Sequence, residues 1–131
     1  MLEPAVLCSV RLEDEVVFEA IALERPGIDA VVLQLVGELD TYSAPALRRA
    51  FEVLEGLDVA STATAVEVDA ARLEFLDSSG LVVLVSAMQD LSERGVVLRV
   101  VNPTDIVRQT VRATGLEVLL GREGGAGPER G

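Results

Sequence analysis

Apolar residues recur along this chain at two spacings, and the switches between them predict its elements. "VVFEAIAL" (residues 16–23) mixes β-branched residues with alternation and ends before Arg25, Pro26 and Gly27, a turn signal. It predicts a strand. "AVVLQLVG" (30–37) is a second, more apolar strand, and the "RPGID" between the two predicts an antiparallel hairpin. After "GELD", the segment "TYSAPALRRAFEVLEGL" carries Ala46, Leu47, Ala50, Phe51 and Leu54 at helical spacing. Ser43 is placed as its N-cap, with Pro45 in the first turn, where a missing N–H costs nothing.

"GLDVASTATA" is a long polar connection into "AVEVDA" (65–70), where Val66 and Val68 alternate with acidic residues as in a strand. Residues 79–94 are ambiguous by propensity, because Val82, Val83 and Val85 favour a strand. A length of about four turns, the Asp-Ser-Ser start and Gly95 just past the end decide for a helix with a broad buried face. "VVLRVV" (96–101) is then a strand stopped by Asn102 and Pro103. "PTDIVRQTVRATG" is a short helix with Ile106, Val107, Thr110 and Val111 on one stripe, ending at Gly115, and "LEVLL" (116–120) is a candidate last strand.

Strand-helix-strand units in succession demand parallel pairing, so the expected fold is α/β, a single domain on one sheet. Its limits are set at 16–120. Residues 1–15 form an N-terminal extension with room for partial order, and 121–131, rich in glycine and poor in apolar residues, a flexible tail.

Charge narrows the partners. There are 22 acidic against 11 basic residues, a net charge of -11, which argues against nucleic acid as a ligand. Every basic residue is arginine. Without histidine there is no Ser-His triad and no common zinc site, and without lysine no P-loop or Schiff-base chemistry. Cys8, the single cysteine, reads as a half-buried hydrophobe. No apolar run approaches the roughly 18 residues a membrane span needs, and the acidic N-terminus is a poor signal peptide. A cytoplasmic protein is expected.

One junction stands apart. In "LEFLDSSGLVVLV" (73–85) a water-seeking Asp-Ser-Ser-Gly runs straight into an apolar helix, so the boundary must lie at a surface. Read bare, Asp77, Ser78, Ser79 and Gly80 are a turn and cap, with Ser78 placed as the cap. A phosphate there is equally compatible with the fold, because a helix N-terminus is an anion site. A catalytic serine is disfavoured, since no histidine or lysine exists to take its proton and G-x-S-x-G is absent.

Three stretches in order, "GELD" (37–40), "VEVDAARLEFLDSSGL" (66–81) and "VNPTDIVRQTVRATGLEVLL" (101–120), resemble the STAS domain, and specifically the bacterial anti-sigma factor antagonists. The resemblance spans about 16–120. It implies a mixed central sheet of about five strands flanked by helices, mostly parallel with an antiparallel N-terminal strand. It also implies a non-enzymatic switch without a cofactor of its own. Its partners would be an anti-sigma factor that is also a serine kinase using ATP and magnesium, and a serine phosphatase that resets it. It would be a monomer or small oligomer.

Carried onto this chain, the phosphate acceptor is Ser78. Asp40, Thr41, Asp77, Ser79 and Gly80 match the partner-facing surface: Gly80 as the small residue that lets a partner approach, Asp77 to steer a kinase arginine or cap the turn, Asp40 as partner contact or cap of the first helix. The rival function is a structural STAS module in a signalling scaffold or transporter-associated complex. A hydrolase using Ser78 or Ser79 is the third.

Overall fold

The computed structural model describes residues 4–25, 29–56 and 63–121, and the chain order is strand, strand, strand, helix, strand, helix, strand, helix and a final 3-10 turn. The strands are β1 (Ala5–Leu12), β2 (Glu15–Arg25), β3 (Ala30–Leu39), β4 (Ala65–Leu76) and β5 (Val97–Val101). The helices are α1 (Ala44–Glu55), α2 (Ser78–Ser92) and α3 (Asp105–Thr114). They build the expected mixed sheet of five strands in the order β1-β2-β3-β4-β5. The first two pairings are antiparallel and the last two parallel. No helix among the described residues is long and apolar enough to cross a membrane.

Period-two burial shows which side of the sheet is the core. Phe18, Ala20 and Ala22 of β2, Val31, Leu33 and Leu35 of β3, Val66, Val68 and Ala70 of β4, and Leu98 and Val100 of β5 are buried, alternating mostly with less buried neighbours. They form one cluster with Leu47, Ala50, Phe51 and Leu54 of α1 and Leu81, Leu84, Ala87 and Leu91 of α2. The apolar stripe of α1 is the one its spacing predicts.

Four expectations need correction. The extension contains a strand: β1 pairs with β2 along its length, with register shifts between Val6 and Cys8 and between Val10 and Arg11. Such shifts break the alternation in a strand that is half-exposed throughout, which hides it from a periodicity reading. β4 runs on to Leu76 because β3 offers a parallel edge as far as the Leu39–Leu76 pair. Residues 117–120 are a 3-10 turn and not a strand. Gly115, with φ of +74°, ends α3 in a Schellman arrangement, its N–H donating to Arg112 O and that of Leu116 to Val111 O, and the chain reverses there. Leu119 and Leu120 are then both buried, which a strand of period two does not allow. On α3 the core takes Val107 and Val111, while Ile106 stays exposed.

Glu67 is buried. Arg25 and Arg99 both pair with its carboxylate, Arg99 at 3.0 Å, and so tie β2, β4 and β5 together. Two cations hydrogen-bonded to one carboxylate compensate its desolvation. The connection at 57–62 and the tail from 122 lie outside the described residues, as does most of the hairpin turn.

Candidate functional site

Two parallel strands ending at the same level place their following loops side by side. Leu39 of β3 and Leu76 of β4 are register partners, and the Asp77 N–H donates to Leu39 O at 3.2 Å across the gap. Each strand gives way at once to a helix, α1 from one loop and α2 from the other. Residues 40–43 and 77–79 therefore meet at the C-terminal edge of the parallel half of the sheet, the place where open α/β sheets present their loops for binding.

The first loop is held by its own polar atoms. Asp40 Oδ1 accepts from the backbone N–H groups of Tyr42 at 3.0 Å and Ser43 at 3.1 Å, an Asx turn. Ser43 is fully buried and makes no side-chain cap to α1, contrary to expectation. Its Oγ donates to Glu38 O at 2.7 Å and accepts from the Asp40 N–H at 3.0 Å. Its short hydroxyl closes the loop on itself and leaves the helix start to backbone geometry.

In the second loop the aspartate, and not Ser78, is the cap. Asp77, extended at φ -120° and ψ -176°, is the N-cap of α2, and its Oδ1 accepts from the N–H groups of Ser79 at 2.9 Å and Gly80 at 3.3 Å. Ser78 is thus the first helical residue. It is exposed, and no hydrogen bond to its hydroxyl is made among the described residues. Ser79, half-buried, has its Oγ 3.0 Å from Thr41 Oγ1, a bond that joins the two loops. The structure brings together Asp40, Thr41, Asp77, Ser78 and Ser79.

Gly80 belongs to the interior. A Cβ built on it would fall 2.5 Å from Leu39 Cγ, 2.7 Å from Leu39 Cδ2 and 2.9 Å from Leu76 Cδ1, so its smallness lets α2 close onto the strand ends. Gly80→Ala sets a helix-propensity gain of about 1 kcal/mol against overpacking of about 1–3 kcal/mol. Both leucines are buried and Cγ cannot swing away, so overpacking wins. The expected result is a melting temperature lowered by roughly 5 °C, read by circular dichroism. Gly56→Ala, where the added carbon meets nothing closer than 3.5 Å, serves as the control and should hardly move it.

Two residues beside the site escaped the sequence reading. Tyr42, next to Thr41, is 60% exposed with its hydroxyl donating to Arg11 O at 3.3 Å, and Val82, one turn along α2 from Ser78, is 56% exposed. Each is a large apolar surface in water beside a charged rim. The only available signal was the singularity of Tyr42, the one tyrosine in the chain. Cys8 lies apart from this site, half-buried on β1. Burial pushes its thiol pKa up against a hydrogen bond from the Ala20 backbone and the field of Arg49, and it remains a protonated packing group at neutral pH.

Comparisons with known proteins match the fold. The STAS domain family model matches residues 19–122. The anti-sigma-B factor antagonist of Listeria monocytogenes is 26% identical over 101 residues, 77% of this chain and 85% of that protein. A crystal structure of an anti-sigma factor antagonist from Mycobacterium paratuberculosis is 27% identical, covers 79% of this chain and 83% of that one, and superposes with a TM-score of 0.66. Two further structures match, the anti-sigma factor antagonist SpoIIAA in its unphosphorylated form and the Bacillus cell fate determinant SpoIIAA in its phosphorylated form. The unphosphorylated form is 26% identical, with 78% and 84% of the chains covered and a TM-score of 0.58. The phosphorylated form, at 24% identity, 78% and 86% coverage and a TM-score of 0.55, matches in fold.

Proposed function

This chain belongs to the STAS domain family, and we propose that it works there as an anti-sigma factor antagonist switched by phosphorylation of Ser78. Unmodified, it binds an anti-sigma factor that is also a serine kinase, and a sigma factor is released. Phosphorylation ends the association until a serine phosphatase resets it. The observation that carries the reading is the state of Ser78: exposed, unbonded among the described residues, and relieved of capping by Asp77. A hydroxyl in that state can be modified without dismantling anything.

The chemistry belongs to the partner. The γ-phosphoryl of magnesium-ATP leaves ADP as the bond to the bridging oxygen breaks, a bond to Ser78 Oγ forms, and the hydroxyl proton passes to a base of the kinase. This chain has no histidine or lysine to act as that base. Its own contribution is a rigid, correctly presented acceptor, because α2 is anchored through the Asp77 cap and the buried Gly80 contact. Asp40, Thr41, Asp77 and Ser79 form the polar part of the docking surface, with Tyr42 and Val82 as its apolar part. That SpoIIAA is known in an unphosphorylated and a phosphorylated form supports the switch.

The test is affinity capture from the source organism's lysate on the immobilised chain, with and without magnesium-ATP. A kinase should be retained without ATP and released with it. Ser78→Ala should take up no phosphate and hold its partner permanently, whereas Ser79→Ala should keep the acceptor. Phosphopeptide mass spectrometry placing the phosphate on Ser79 or Thr41 would refute the assignment.

A further inference from the structure

We infer that Thr41 determines which of the two adjacent serines is phosphorylated, by clasping the Ser79 hydroxyl and leaving Ser78 as the available acceptor. The inference rests on the acceptor reading above and adds a selectivity residue to it. Ser78 and Ser79 are chemically identical and occupy the first two positions of α2. A kinase that can seat one hydroxyl has the other one residue away, on the same exposed turn. The resemblance names Ser78 but supplies no physical reason for passing over Ser79.

The surroundings of the two oxygens do distinguish them. Ser78 is exposed and its hydroxyl is bonded to nothing among the described residues, whereas Ser79 is half-buried with its Oγ 3.0 Å from Thr41 Oγ1. Ser79 is also pinned through its backbone, since its N–H donates to Asp77 Oδ1 at 2.9 Å. Thr41 is held in turn by the Asx turn of Asp40 and the buried Ser43, so its hydroxyl is presented by a braced loop. For a serine oxygen to accept phosphate it must approach the γ-phosphorus in line, forming the new P–O bond as the bond to ADP breaks and giving its proton to the kinase base. Ser79 Oγ reaches that geometry only after surrendering Thr41. A bond of this kind is worth about twofold to tenfold in rate, and the half-burial of the oxygen adds to it.

The experiment uses the full chain, the kinase captured above and magnesium-ATP, with phosphopeptide mapping. In a Ser78→Ala background with Thr41 intact, Ser79 should take up almost no phosphate. Adding Thr41→Ala should raise phosphorylation of Ser79 by at least about fivefold, and Thr41→Ser, which keeps the hydroxyl, should return it to the low level. Equal uptake at Ser79 with threonine, serine or alanine at 41 would overturn the inference. A second readout needs no kinase: the Hα–Hβ NMR couplings of Ser79 should report one rotamer in wild type and Thr41→Ser, and averaging in Thr41→Ala, while Ser78 averages in all three. Averaged Ser79 couplings in wild type would show that no clasp exists. Absence of phosphate from both serines of the wild-type chain would sink the functional reading and the selectivity with it, and the couplings would still establish whether the clasp forms.

Discussion

Protein carrying phosphate on Ser78 is expected to bind its anti-sigma factor roughly a hundredfold more weakly than the unmodified chain, with the same fold and nearly the same melting temperature. The two halves of that expectation have separate causes. Phosphoserine brings about -1.5 to -2 charges at neutral pH. In the free protein the Ser78 side chain is exposed and bonded to nothing among the described residues, so the group enters water beside a helix start and displaces no packed atom. The helix terminus stabilises the added charge, although Asp77 already occupies the N–H groups of Ser79 and Gly80 and opposes it.

In the complex that dianion is stripped of water next to the Asp77 carboxylate, on a chain whose net charge is already -11. A loss of about 3 kcal/mol there corresponds to the hundredfold. Calorimetric titration of both forms against the anti-sigma factor measures it, with amide NMR spectra of each to compare the folds. Equal affinities would remove the switch. A rearranged sheet would replace local repulsion with a conformational mechanism.

Gly37→Ala is expected to be the most damaging small substitution near the site, lowering stability by about 3–5 kcal/mol. Gly37 sits in β3 opposite Phe18 with φ of +104°, a conformation that residues with a Cβ adopt only under strain. An added Cβ would lie 2.2 Å from Val17 O and 3.0 Å from Val17 C. Those are backbone atoms of a paired strand, and no rotamer change relieves the overlap. The strand pair must part or the glycine must change conformation, and either disturbs the register shift that β3 makes against β4 just after this residue. Such a loss is about a fifth or more of the 5–15 kcal/mol that holds a typical domain together. The melting temperature should fall by roughly 10–20 °C, and urea denaturation should show a lower midpoint with unchanged slope. A fall of less than about 3 °C would mean that the strand pair yields more easily than this geometry allows. Because the Asp40 loop follows directly, Gly37→Ala should also weaken partner binding.

Local signals were enough for every element whose pattern lies within its own segment. The stripe of α1 shows in Leu47, Ala50, Phe51 and Leu54. The stops of α2 and α3 show in Gly95 and Gly115, because a left-handed residue after a helix is a local demand that glycine meets. The Asp-Ser-Ser-Gly junction was visible for the same reason, since a polar turn against an apolar run must lie at a surface. What escaped depended on a second segment. β1 is a strand because β2 offers it an edge, and its register shifts erase the alternation that would have declared it. Glu67 looks like a solvent residue until arginines from β2 and β5, 42 and 32 positions away, close on it. Gly80 and Ser43 owe their identities to atoms of other elements: Leu39 and Leu76 leave no space for a side chain, and the Glu38 carbonyl needs a donor. The division of labour at the site is of the same kind. The composition of the chain disfavoured a catalytic serine beside Asp77, because it holds no histidine or lysine to take the proton. Only the tertiary structure decided which serine is open, since the bond between Thr41 and Ser79 is a contact across space between loops that the chain separates by 38 residues.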